Sequence, residues 1–218
     1  MESSDHSEFW RSAEQLHWVD TSTPQRKKLL RYALTKYLSL SPSSKVQALD
    51  AGCGLGDFVK FFEEQSYEAY GADASLVAVS NAQLRCPSAT IVRASLEHLP
   101  FADNRFDIVW CSEVLEHIVD VSGAFNELSR VTKPNGLLIL TVPYHGFLKN
   151  LIITSARFDW HFSVDGPHLR FFTKRSLDIC LRRAGFEPLA WNGVGRSWPM
   201  WKSFFVTARR APGPLPGA

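Results

Sequence analysis

Gly52, Gly54 and Gly56 stand at alternating positions between two carboxylates, Asp50 and Asp57. The run before them, Val46-Gln-Ala-Leu-Asp50, reads as a buried strand, and Asp57-Phe-Val-Lys-Phe-Phe62 as the opening of a helix. Glycines at such a junction allow a sharp turn and let a ligand lie against bare backbone. Dinucleotide sites space their glycines G-x-G-x-x-G and rest a pyrophosphate on the helix. The spacing here is G-x-G-x-G, and two flanking carboxylates would repel a pyrophosphate. They suit a ligand with a cationic or hydroxyl-rich face and no phosphate.

Two further groups could do chemistry. Asp73, in Gly71-Ala-Asp-Ala-Ser75, closes the next strand about 20 residues past the turn, where an acid accepts hydrogen bonds from ribose hydroxyls. Ser75 is the better N-cap for the helix that follows. Glu113, Glu116 and His117 then form an E-x-x-E-H group. On one helical turn that spacing brings two carboxylates and an imidazole to nearly the same face. With a fourth ligand from elsewhere, they could hold Mg²⁺ or another divalent ion that lowers the pKa of a substrate hydroxyl. Without a metal, His117 could act as general base or orient the substrate, or simply pack.

The elements that must position these groups alternate along the chain. Strands are expected near 46–51, 67–73, 89–94, 105–112 and 136–143, with helices near 56–65, 75–85, 120–132 and 173–184. Two last strands fall near 186–191 and 201–209. This predicts an α/β fold: a doubly wound, mostly parallel seven-stranded sheet with helices on both faces. Residues 1–40 read as an N-terminal helical cap of two helices. The second opens at Thr23-Pro24 and lines up Leu29, Leu30, Ala33, Leu34, Tyr37 and Leu38. The main domain spans 41–210, and 211–218, rich in Pro and Gly, reads as a disordered tail. Lys133-Pro-Asn-Gly136 is a turn. The stretch from about 145 to 172 is long for a connection and rich in apolar side chains, including Phe147, Leu151, Ile153, Phe158 and Trp160. Insertions at this edge of an open sheet cover the ligand, so we read it as a substrate lid; an additional packing helix is the alternative.

Composition narrows the class. The apolar fraction is 45%, the charged fraction 21% and the net charge +2, as expected for a globular protein and without the basic excess of a nucleic-acid binder. Cys53, Cys86, Cys111 and Cys180 have neither metal-type nor disulfide-type spacing, which with the polar N-terminus points to the cytoplasm. No apolar run reaches the length of a membrane span.

The glycine segment resembles the first motif of class I S-adenosylmethionine (SAM)-dependent methyltransferases, which have a Rossmann-like fold. Ser95-Leu-Glu-His-Leu-Pro-Phe101 is similar to the "D-A-E-x-L-P-F" segment that lies beside the adenine in small-molecule methyltransferases, with Ser95 where relatives often have Asp. Ser112-Glu-Val-Leu-Glu-His117 resembles the "S-x-V-L-E-H" signature, especially of the ubiquinone-biosynthesis O-methyltransferase branch. The likeness is good over roughly 45–145 and weaker to 210.

It implies SAM as cofactor, held by Asp50, Gly52, Cys53, Gly54 and Gly56 on the methionine side and by Asp73 and Ala74 at the ribose. Ser95 and Leu96 would meet the adenine, with Cys111 and Ser112 beside the methyl. The catalytic candidates are then His117, Glu113 and Glu116. Metal-dependent RNA 2′-O-methyltransferases resemble the E-x-x-E-H arrangement too, which makes His168 the matching fourth ligand to Glu113, Glu116 and His117, with His145 and His161 as substitutes. The function implied is methyl transfer to a small-molecule acceptor, apolar or aromatic, most naturally at a hydroxyl. Trp10 and Trp18 are candidates to wall the acceptor pocket, and Phe147 to Ile153 could touch a membrane surface. Rival readings are an RNA methyltransferase, a non-catalytic SAM-binding module and an NAD-dependent oxidoreductase.

Overall fold

In a computed structural model, residues 20–38, 45–146, 149–151, 155 and 169–213 are described. Seven strands form one sheet: β1 (Gln47–Ala51), β2 (Glu68–Asp73), β3 (Thr90–Arg93), β4 (Phe106–Ser112), β5 (Thr132–Pro143), β6 (Phe186–Val194) and β7 (Ser203–Arg210). Their spatial order is β3-β2-β1-β4-β5-β7-β6. The pairs from β3 through β5 are parallel, whereas β7 runs antiparallel to both β5 and β6. The sheet is therefore mixed rather than parallel throughout. The reason is local: β6 and β7 follow each other without a crossover helix, and only antiparallel strands can be joined so directly.

Among the described residues, the helices that flank the sheet include α1 (Thr23–Tyr37), α2 (Asp57–Glu64), α3 (Leu76–Arg85), α4 (Val121–Val131) and α5 (Lys174–Arg183). Alternate residues of each strand feed two separate cores, as the two-residue period of a strand requires. Leu49, Val109, Leu138 and Leu140 pack with Phe125 and Leu128 of α4 and with Leu177 and Leu181 of α5. Ala48, Ile108, Trp110 and Ile139 pack on the other face with Leu30 and Leu34 of α1, Val59 and Phe62 of α2, and Val79 and Ala82 of α3. This is the doubly wound arrangement expected.

The expected strand and helix boundaries hold to within a few residues, with three differences. Helix α1 is N-capped by Ser22 and starts at Thr23, with Pro24 inside its first turn. The segment Lys133–Gly136 is an excursion within β5 instead of a turn before it: Thr132 already pairs with Phe106, and the ladder resumes at Leu137 against Ile108. Asn135 there adopts φ 64°, a left-handed conformation that Asn tolerates better than most side chains. Strand β6 also runs to Val194, three residues past its expected end. The first helix expected in the cap, residues 214–218 of the tail and most of the expected lid lie outside the described residues.

The strand order reverses between β1 and β4, whose connections leave in opposite directions. In open α/β sheets the crevice at such a reversal, beyond the carboxyl ends of the strands, takes the ligand. The glycine turn emerges there. No helix among the described residues is long and apolar enough to cross a membrane.

Candidate functional site

The glycine turn is held against the neighbouring strand. The Gly52 and Cys53 amides both donate to the Ala72 carbonyl, at 2.7 and 2.9 Å. Gly52 (φ +86°) and Gly56 (φ +85°) adopt left-handed backbone that strains other side chains. A Cβ at Gly52 would be driven into Val114, which follows the exit of β4. Asp73 closes the turn from the side: Oδ2 accepts from the Gly54 amide and Oδ1 from the Ser75 amide, both at 2.9 Å. Ser75 caps α3 as expected, its side chain accepting from the Ala78 amide.

Asp50 is buried, and its Oδ2 has no hydrogen-bond partner among the described residues. Burial, then the charges of Asp73 and Asp57, push its carboxyl well above the ordinary aspartate range. A cationic ligand beside the turn would reverse that effect. Bare backbone, clustered carboxylates and an unpartnered buried oxygen fit a phosphate-free cationic nucleoside such as SAM. Cys53 is buried beside these acids, and its thiol is pushed up by burial first and Asp50 second. Only its backbone is placed to face a ligand.

Beyond β3, the Ala94 amide donates to the Asp73 carbonyl at 2.9 Å, which seats the Ser95 segment next to the ribose-side acid. Ser95 Oγ lies 3.3 Å from both the Glu97 amide and Glu97 Oε2. The Leu96 side chain is in the core, leaving its backbone for any ligand contact. Arg130 of α4 secures this stretch by donating to the carbonyls of Phe101 (2.7 Å) and Leu99 (2.9 Å), while Glu127 accepts from the Leu99 amide. Ala74 accepts from Arg93 Nε through its carbonyl.

At the exit of β4 the structure departs from the expected geometry. The Cys111 side chain is fully buried in the core, because alternation along the strand turns it away from the edge. Ser112 Oγ pairs with Thr141 Oγ1 at 2.8 Å. Glu113 does not share a helical turn with Glu116 and His117. It sits at φ 55°, ahead of a short 3₁₀ turn, Leu115–His117. Its Oε2 accepts from Ser203 Oγ at 3.1 Å, and its Oε1 lies 3.4 Å from Arg26 Nη2. Glu116 is buried, and neither carboxyl oxygen has a hydrogen-bond partner among the described residues. Burial and then the charge of Glu113 raise its pKa well above the ordinary range. The Glu116 carbonyl accepts from the Leu169 and Arg170 amides, so the chain re-entering from the long connection folds back over the 3₁₀ turn. His117 is half-buried.

A divalent ion is a poor fit to Glu113, Glu116 and His117 as arranged, because a guanidinium already faces Glu113. Among the described residues, no group of three or more His, Cys, Asp or Glu side chains is disposed to hold a metal. His168 and His161 lie outside the described residues, as do Trp10, Trp18, Phe147 and Ile153. His145 is buried with its ring edge-on to Phe171, centroids 4.9 Å apart.

Sequence reasoning missed the basic half of this edge. Arg26 of α1 is buried and pairs with Asp20 and Glu113. Burial pushes Asp20 up, but the Ser22 amide, Arg26 and Lys202 outweigh it, and the carboxyl lies below the usual range. Lys149 donates to the Tyr144 and Trp201 carbonyls; burial, helped by Arg196, pulls it down to about 8. One signal was available for Arg26. It stands one helical turn before Leu30 on the apolar face of α1, where a cation needs a partner.

Residues 49–140 match the family model described as a methyltransferase domain. Over these residues the chain carries a methyltransferase domain. Relatives of this domain include a malonyl-[acyl-carrier protein] O-methyltransferase from Pseudescherichia vulneris, 34% identical over 103 residues, which are 47% of this chain and 41% of that protein. A protein of the same name from Enterobacter lignolyticus is 27% identical over 159 residues, covering 72% and 61%. The chain thus spans about half the length of the curated relatives it matches. The fold is shared with magnesium protoporphyrin IX methyltransferase from Synechocystis PCC 6803 with bound SAH, at TM-score 0.68 and 18% identity, covering 87% of this chain and 83% of that one. A SAM-dependent methyltransferase from Mesorhizobium loti gives TM-score 0.62 at 20% identity, covering 78% and 94%. The match runs from within β1 to within β5; α1 and the antiparallel β6–β7 pair lie outside the matched residues.

Proposed function

We propose that this chain binds SAM in the glycine turn and transfers its methyl group to an oxygen of a small-molecule or carrier-bound acyl acceptor. The observation that carries the reading is the buried, unpartnered Asp50 oxygen beside a backbone cradle clasped by Asp73. The O-methyltransferase names of the relatives support oxygen as the atom methylated. SAM supplies a carbon already activated by its sulfonium, so positioning accounts for much of the rate.

In this reading Gly52, Gly54 and Gly56 hold the methionine half against the backbone, and the Asp73 carboxylate meets the ribose hydroxyls. Ser95 and the Leu96 backbone meet the adenine. Ser112, Glu113, Glu116 and His117 line the side from which the acceptor approaches. A hydroxyl acceptor must shed a proton as the new C–O bond forms, and His117 is the group we assign to take it. A carboxylate acceptor has no proton to lose, so His117 would then be dispensable. No step requires a metal.

Calorimetry with SAM, with and without Mg²⁺, tests the cofactor half; failure to bind under both conditions removes the proposal. Transfer of labelled methyl to hydroxyl and carboxylate acceptors, compared between wild type and His117→Ala, tests the chemistry. Loss of transfer to hydroxyls alone is the expected result.

A further inference from the structure

One basic group at the carboxyl ends of the strands has no part in the cofactor reading. Lys149 follows β5, and its ammonium sits beside the end of β5 and the start of β7. It donates to the Tyr144 carbonyl at 2.8 Å and to the Trp201 carbonyl at 3.3 Å. In the strand order β4 separates β1 from β5. The end of β5 therefore stands about 10 Å across the sheet from the glycine turn, two strand spacings. Lys149 is on the acceptor side of Glu113, away from the cofactor cradle.

An ammonium has three N–H donors and no acceptor. Two main-chain carbonyls take two of them, which leaves the third for a ligand. A second cation, Arg196, stands exposed in the connection between β6 and β7, the same segment that supplies the Trp201 carbonyl. After burial, its charge is what opposes that of Lys149, and Glu113 acts in the other direction. Glu113, however, already accepts from Ser203 Oγ and faces the Arg26 guanidinium. Two like charges kept on one edge, while the nearby carboxylate is engaged elsewhere, suit an anionic ligand. The wall beside them is aromatic. Tyr144 and Trp201 meet edge to face with centroids 5.5 Å apart, and the Lys149 ammonium lies 5.6 Å from the Tyr144 ring centre.

We propose that Lys149, helped by Arg196, anchors an anionic oxygen group of the methyl acceptor, a carboxylate or a phosphate, apart from the oxygen that is methylated. The separation follows from the chemistry: an ammonium bound to the reacting oxygen would hold back the electron pair that must attack the methyl. The inference rests on the methyltransferase reading above. It narrows the acceptors to acids that carry a second oxygen nucleophile.

Benzoate, phenyl phosphate and neutral benzamide share an aromatic ring and differ in charge. Their binding to the full chain, with and without SAM, can be followed by NMR of protein labelled at the lysine Cε. At least one of the two anions should bind about 10-fold more tightly than benzamide, as for a hydrogen bond to a charged group, and shift the Lys149 resonance. The better anion tells carboxylate from phosphate. Lys149→Met should abolish the preference. Arg196→Gln leaves the Tyr144 and Trp201 carbonyls their donor; it should weaken the preference and raise the Lys149 pKa from about 8 toward the ordinary 10.5. It serves as the test if the methionine variant does not fold. Equal binding of the three probes, or an unchanged preference in either folded variant, overturns the assignment. SAM calorimetry on the same samples keeps the two readings apart. Without SAM binding the cofactor reading falls whatever the probes do, whereas a missing anion preference with SAM bound removes this inference alone.

Discussion

Asp73 holds the Gly54 amide at 2.9 Å, tying the carboxyl end of β2 to the turn after β1. The same carboxylate takes the Ser75 amide, so one side chain sets both the cradle and the start of α3. Asp73→Ala should weaken SAM binding by about 100-fold or more while costing about 1–3 kcal/mol of stability for the two orphaned amides. Asp73→Asn keeps one acceptor oxygen and should fall between. Calorimetry with SAM and chemical denaturation of each variant read the two effects separately.

Gly52 faces two penalties if replaced: its positive φ, and the Val114 side chain where a Cβ would go. Gly52→Ala should destabilise the fold by about 2–4 kcal/mol, combining backbone strain with overpacking. Adding Val114→Ala should recover the overpacking share and leave the strain. A double-mutant cycle by urea denaturation measures the difference; strict additivity would show that the two positions do not touch.

Glu116 gives the pH prediction. Burial, then Glu113, raises its folded pKa above the ordinary value of 4.5. The native state therefore keeps its proton when the unfolded chain has lost it, so the stability contribution is complete below about 4.5 and shrinks as pH rises through the folded value. Glu116→Gln, which cannot ionise, should melt higher than wild type at pH 8, with the gap closing as pH falls toward 4.5. A parallel pH dependence in the two proteins would contradict burial of the ionisable form.

Arg130 anchors the stretch after Ser95 through the Leu99 and Phe101 carbonyls and pairs with Glu127 and Asp103. Arg130→Met should cost about 2–4 kcal/mol, because it leaves two carbonyls and Glu127 without their donor. If that stretch flanks the adenine, the affinity for adenosine alone should fall too. Equilibrium denaturation and adenosine binding are the measurements; unchanged adenosine affinity would separate the segment from the ligand.

Local patterns carried much of the fold and part of the site. The apolar runs ending in Asp50, Asp73 and Ser112 marked three neighbouring strand ends, and alternating helices implied a wound sheet whose ligand edge is where those ends meet. Glycine spacing was legible because positive φ and close approach leave few alternatives to glycine. The antiparallel β6–β7 pair was not recognised, since short apolar strands look the same in either direction. The E-x-x-E-H group misled for a related reason: its spacing assumes a regular helix, and the backbone turns left-handed at Glu113.

The sequence by itself determined the α/β architecture, the glycine cradle and the likeness to a methyltransferase domain, all of which depend on residues close together along the chain. Only the tertiary structure decided that Cys111 is core, that Asp50 and Glu116 are buried with unpartnered oxygens, and that Arg26 of α1 meets Glu113, 87 positions further on. Burial and long-range charge pairing depend on how layers stack, and no local pattern encodes which distant side chain arrives at a given strand end.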